Sequence, residues 1–84
     1  MTLNEKLDEL ASKGGEGTHA PHEGQDLELF QLDVRRVREY ERQGYVIIVR
    51  EHPESRSGHR YIDRVRMRLT ESGVAWRRQL NPKL

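Results

Sequence analysis

Residues 44–73 read GYVIIVREHPESRSGHRYIDRVRMRLTESG, and this stretch decides the fold. YVIIV, residues 45–49, is β-branched and aromatic, too short for a helix, and bounded by Gly44 and Pro53, which marks a strand. Residues 51–60 combine Pro, Ser and Gly and read as a mobile loop. Residues 61–69 then alternate. Tyr61, Val65, Met67 and Leu69 share one face, with Asp63 among them, and Ile62, Arg64, Arg66 and Arg68 share the other. The two strands predict an antiparallel hairpin with a long basic tip. Arg64, Arg66 and Arg68 are read as the polar outer face that a half-buried strand requires. Thr70 can cap a last helix, lined on one side by Leu69, Gly73, Trp76 and Leu80 and ended by Pro82.

Working upstream, Gly44 suits the position just past a helix, where positive φ carries no Cβ penalty. Residues 34–43 are therefore helical. Leu27, Phe30, Val34, Val37 and Tyr40 follow the i, i+3, i+4 rule, consistent with one helix from 26 to 43. A short element over 26–31 followed by a fresh helix capped by Asp33 satisfies the same residues. Projection of 34–43 at 100° per residue puts Val34, Val37, Tyr40 and Glu41 on the core side. Arg35, Arg38 and Arg42 then point outward with Glu39 and Gln43, and Arg36 lies at the flank.

Leu3, Leu7, Leu10 and Ala11 recur at helical spacing behind Thr2 or Asn4, which predicts an acidic amphipathic helix over residues 1–12. Between it and the rest runs KGGEGTHAPHEGQ, residues 13–25, with four glycines and no large apolar residue, a flexible-linker composition. The third unit is then 26–84.

The charge is divided along the same lines. Residues 1–32 carry two lysines against seven acids, a net of −5, whereas residues 33–78 carry twelve arginines against seven acids, a net of +5. A basic back behind an acidic front points to an anionic partner.

Eighty-four residues, 33% hydrophobic and 35% charged, allow one small domain of marginal stability. Help from a partner subunit or a ligand is in keeping with that size, a homodimer among the possible forms. There is no cysteine, so neither a disulfide nor a thiolate zinc site is available. The N-terminal MTLNEKLDEL is acidic and argues against a signal peptide. No stretch approaches the roughly 18 apolar residues of a membrane span, so a cytoplasmic protein without a membrane partner is expected.

The segment REYERQGYVIIVREHPESRSGHRYIDRVRMRLTESGVAW, residues 38–76, resembles the second half of a winged helix-turn-helix protein of the bacterial regulator type. The likeness rests on Gly44 and Tyr45 at the end of a helix, on a basic hairpin tip from 54 to 60, and on Leu69, Thr70, Glu71, Ser72 and Gly73 opening the closing helix. It covers about residues 33–80. The family supplies two compact helices before its recognition helix, where this chain offers one helix and a glycine-rich stretch.

The resemblance implies an α+β winged-helix-like domain that binds duplex DNA, as a small transcriptional regulator or accessory factor. The Arg-rich helix 33–43 and the basic wing 50–61 would make the contacts. Arg35, Arg36, Arg38 and Arg42 would lie in the major groove or on phosphates, and Arg56, His59 and Arg60 would reach the backbone or minor groove. The alternative is a protein-interaction or oligomerisation module of the same shape without a nucleic-acid role, the Arg face being a solvated surface with weak i, i+4 pairs.

No phosphate-binding glycine loop, nucleophile elbow or Ser/His/Asp set is present, so no enzyme, no cofactor and no small-molecule substrate are expected. His19 and His22 with Glu23, and His52 and His59, match no closed metal site. His59 stands out only as a titrating residue of the wing. Phe30, Tyr40, Tyr45, Tyr61 and Trp76 are read as core aromatics rather than base-stacking platforms.

Overall fold

The computed structural model describes residues 1–84 as a small α+β domain: α1 (Leu3–Lys13), β1 (Glu16–His19), α2 (Leu27–Arg42), β2 (Val46–Arg56), β3 (His59–Leu69) and α3 (Glu71–Leu80). The three strands form one antiparallel sheet in the order β1-β3-β2.

Each helix begins where a side chain satisfies its free N–H groups. Thr2 and Glu5 form a reciprocal capping box on α1, with Glu5 N donating to Thr2 Oγ1 at 3.1 Å and Thr2 N to Glu5 Oε1 at 2.9 Å. Asp26 caps α2 by accepting from Glu28 N at 2.9 Å. The segment 27–42 is thus one continuous helix, and Asp33 sits within it rather than at its start. Gly44, at φ 84°, closes the helix: Tyr45 N donates to Tyr40 O and Gly44 N to Glu41 O, the Schellman pattern.

The stretch 13–25, expected to be a flexible linker, instead contains β1. Its Gly17 suits a close approach: a Cβ would stand 2.7 Å from Leu10 Cδ2, so a larger residue would have to push the end of the Leu10 side chain aside for the strand to lie under α1. His19, at the end of β1, is 2% exposed. Its ring lies 5.2 Å from that of Phe30, and Nε2 is 2.9 Å from Asp33 Oδ2. With β1 between α1 and α2, the chain has no pair of consecutive helices joined by a short turn. The helix-turn-helix implied by the resemblance is not formed.

The expected loop over 51–60 is also strand. β2 and β3 continue in register to Arg56 and His59, and only Ser57 and Gly58 make the turn. Both have positive φ, 51° and 77°, the pattern of a type I′ hairpin whose twist suits the strands. Register shifts at Ile48/Arg50 and His52/Pro53 bend the hairpin, and Pro53 is tolerated because β2 is an edge strand.

Thr70 binds α3 to the end of α2. Its hydroxyl accepts from Gly73 N at 3.0 Å and donates to Gly44 O at 2.6 Å, while its N–H donates to Tyr45 O at 3.0 Å. Gly73 packs so tightly that a Cβ would collide with the Tyr45 carbonyl.

Leu3, Leu7 and Leu10 of α1, Phe30, Val34 and Val37 of α2, and Val46, Val65 and Met67 of the sheet make one core, so α1 belongs to the same hydrophobic unit as the rest. Trp76 packs between Tyr40 and Tyr45, at ring centroid distances of 4.7 and 4.5 Å. The buried residues of α3 are Gly73 and Arg77; Leu80, expected on its inner side, is 62% exposed.

Candidate nucleic-acid interface

The solvent face of α2 carries Arg35, Arg36, Arg38 and Arg42, all exposed, and the hairpin tip carries Arg56, His59 and Arg60, also exposed. Their environments differ. Arg38 donates from Nε and Nη2 to the two carboxylate oxygens of Glu51, at 2.8 and 2.7 Å. That fork holds the Glu51 carboxyl below its ordinary pKa and raises the Arg38 guanidinium, the hydrogen bonds outweighing the opposing effect of partial burial. Arg38 therefore joins α2 to β2.

Nearby, Glu41 Oε2 accepts from Ile48 N at 2.8 Å. One outward-facing amide of the edge strand is thereby covered, which orients the hairpin and blunts its edge. Gln31 does the same for β3: its amide nitrogen donates to Ile62 O at 2.8 Å, and its amide oxygen accepts from Ile62 N at 3.0 Å.

Arg42 and Arg56 make looser pairs, with Glu39 at 3.5 Å and Glu54 at 3.2 Å. Arg35, Arg36 and Arg60 have no carboxylate within 4.0 Å. Arg35 and Arg60 meet, with Arg38, along a groove of about 440 Å³ where α2 crosses the hairpin. Val34 and Tyr61 form part of its floor. Arg36 lies apart, facing Met1, Asn4, His22 and Asp33. His59 stands 6.1 Å from the Tyr61 ring. The Tyr61 hydroxyl donates to Glu28 Oε1 at 3.2 Å, and its pKa is raised, first by desolvation and then by that carboxylate.

The structure thus brings three of the seven candidate residues to one groove, commits one of those three to an internal ion pair, and leaves Arg36 on another side. The sequence reading missed Gln31, Glu41 and Glu51, which orient the hairpin against α2, because no local pattern marks a contact across 7 to 31 residues. It also passed over Arg50. A larger concavity of about 690 Å³, lined by Leu69, Val74 and Ala75 with Arg78, shares no residue with this groove; the convergence of cations, not volume, marks the candidate site.

Three acids of the front segment form ion pairs within the fold. Glu9 pairs with Lys6 at 3.1 Å, Asp8 with Arg77 at 2.7 Å and Glu16 with Arg66 at 2.8 Å. No helix is long and apolar enough to cross a membrane. No family model, curated protein or solved structure matches the chain.

Proposed function

We propose that the chain is a duplex-DNA-binding domain of winged-helix character, with α2 as the helix that meets the groove and the β2–β3 hairpin as the wing. The observation that carries this reading is the shared groove in which Arg35 and Arg60 stand without internal partners beside Arg38. Two unpaired guanidiniums from different elements on one surface form an anion-binding site that the fold itself does not neutralise. The hairpin supports the reading: two 11-residue strands turn in two residues, and from Pro53 to Tyr61 none of its residues is buried. A transcriptional regulator or accessory factor is the corresponding role. The test is titration of a labelled random-sequence duplex at low and moderate salt. Binding that falls steeply with salt supports the proposal, and no binding at low salt removes it.

A second reading is favoured by Leu29 and Leu32, which are 58% and 49% exposed on the solvent face of α2. Exposed leucines beside arginines suit a helix that packs on a second subunit, in an interaction module without a nucleic-acid role. Sedimentation velocity of the wild type and of Leu29→Gln/Leu32→Gln separates the two: a dimer lost in the variant, with no DNA binding in either, selects the interaction reading.

A further inference from the structure

The helices all pack on the Val46, Val65 and Met67 side of the sheet, which leaves its other face open. The register defines what that face presents. Arg68 lies between Glu16 and Ile47, Arg66 between Thr18 and Arg50, and Arg64 opposite His52. Alternate residues of a strand are roughly 7 Å apart, so Arg64, Arg66 and Arg68 form a file of cations along the central strand, with Arg50 beside it.

Like charges placed directly opposite each other in a sheet are destabilising, and Arg50 is directly opposite Arg66. Internal compensation is thin. Glu16 reaches Arg66 at 2.8 Å and Asp63 reaches Arg64 at 3.8 Å, but Arg50 and Arg68 have no carboxylate within 4.0 Å. The fold maintains a repulsive array that an external polyanion would relieve.

We infer that this outer sheet face is a second phosphate-binding surface, built for the backbone of a nucleic-acid duplex. Arginine forks bind phosphate oxygens in pairs, and a file of them matches a row of phosphates. The face has no Phe, Tyr or Trp, so it offers no stacking platform for single-stranded bases. From Val65 to Arg68 both edges of β3 are already paired, by β1 and by β2, so a peptide cannot add to the strand where Arg66 and Arg68 stand. The face points away from the solvent side of α2, and the inference does not depend on the helix–hairpin groove. Where both surfaces bind, one molecule contacts two duplex segments.

The test is a fluorescence titration of the full chain with a labelled random-sequence duplex over a salt series, comparing wild type, Arg50→Gln/Arg68→Gln, Arg50→Lys/Arg68→Lys and Arg35→Gln/Arg60→Gln. The outer-face glutamine variant is expected to lower the magnitude of the log–log salt slope by about two, without lowering the melting temperature, because neither arginine has an internal ion pair. The lysine variant is expected to recover most of that slope, and Arg35→Gln/Arg60→Gln to retain residual binding. A wild-type slope and affinity in Arg50→Gln/Arg68→Gln overturns the inference. So does absence of binding by the wild type at low salt, or complete loss in Arg35→Gln/Arg60→Gln. A normal Arg35→Gln/Arg60→Gln beside an impaired outer-face variant overturns the groove reading alone.

Discussion

The Arg77 guanidinium, 5% exposed, donates to the Asp8 carboxylate at 2.7 Å and so joins α3 to α1 across 69 residues of chain. The same guanidinium lies 4.8 Å from the centre of the Trp76 ring. A buried cation whose partner is removed keeps its desolvation cost without the compensating charge. Asp8→Ala is therefore expected to destabilise the domain by about 3 kcal/mol, and adding Arg77→Met is expected to recover part of that loss. Urea denaturation of the two variants measures both.

Gly73→Ala separates helix propensity from packing. Alanine is favoured over glycine in a helix by about 1 kcal/mol, but at this position its Cβ would meet the Tyr45 carbonyl, which is backbone and also accepts from Thr70 N. The collision should win and lower the melting temperature. Gly17→Ala meets the end of the Leu10 side chain instead and should cost less, on the order of 1 kcal/mol. A higher melting temperature in Gly73→Ala would refute the packing account.

Acid should weaken the tie between α2 and β2. The Glu51 carboxyl has a folded-state pKa below its ordinary value, so its contribution is fully present above that ordinary value and is lost as pH falls through the depressed one. Arg38 is about half exposed, so the pair contributes no more than about 1 kcal/mol. Glu51→Gln should differ from the wild type at neutral pH and converge with it in acid, as followed by chemical denaturation at several pH values.

Under the DNA-binding proposal, Arg35→Gln and Arg60→Gln are each expected to reduce the salt slope by about one. Glu51→Gln is expected to tighten binding by releasing Arg38 from its carboxylate. An equal loss at Arg35, Arg38 and Arg60, with no gain in Glu51→Gln, would show that the internal pair does not restrain Arg38.

Removal of residues 1–25 should unfold the domain. It takes Leu3, Leu7 and Leu10 from the core and strips β1 from β3. His19→Ala is a milder version: it opens a cavity beside Phe30 and leaves Asp33 without its partner, at a cost of roughly 2 kcal/mol. Circular dichroism of the truncated chain and thermal melts of His19→Ala test the pair.

The signals legible in the sequence were local ones. Thr2 and Thr70 are polar residues at the starts of apolar periodic runs, and Gly44 can take the positive φ that ends α2. Strict alternation over Val65, Met67 and Leu69 exposes the pleat of β3 directly. Each works within a few residues, because capping and face periodicity depend on near neighbours. What only the tertiary structure decided depends on partners far along the chain. EGTH becomes a strand because β3 offers it a ladder and Leu10 a surface, not because its own residues favour one. The polar residues of the hairpin continue as strand through pairing rather than burial. Arg38 is committed to Glu51, Arg77 is buried against Asp8, and Arg50 is brought beside Arg66, because register and ion pairing are settled only when distant segments meet.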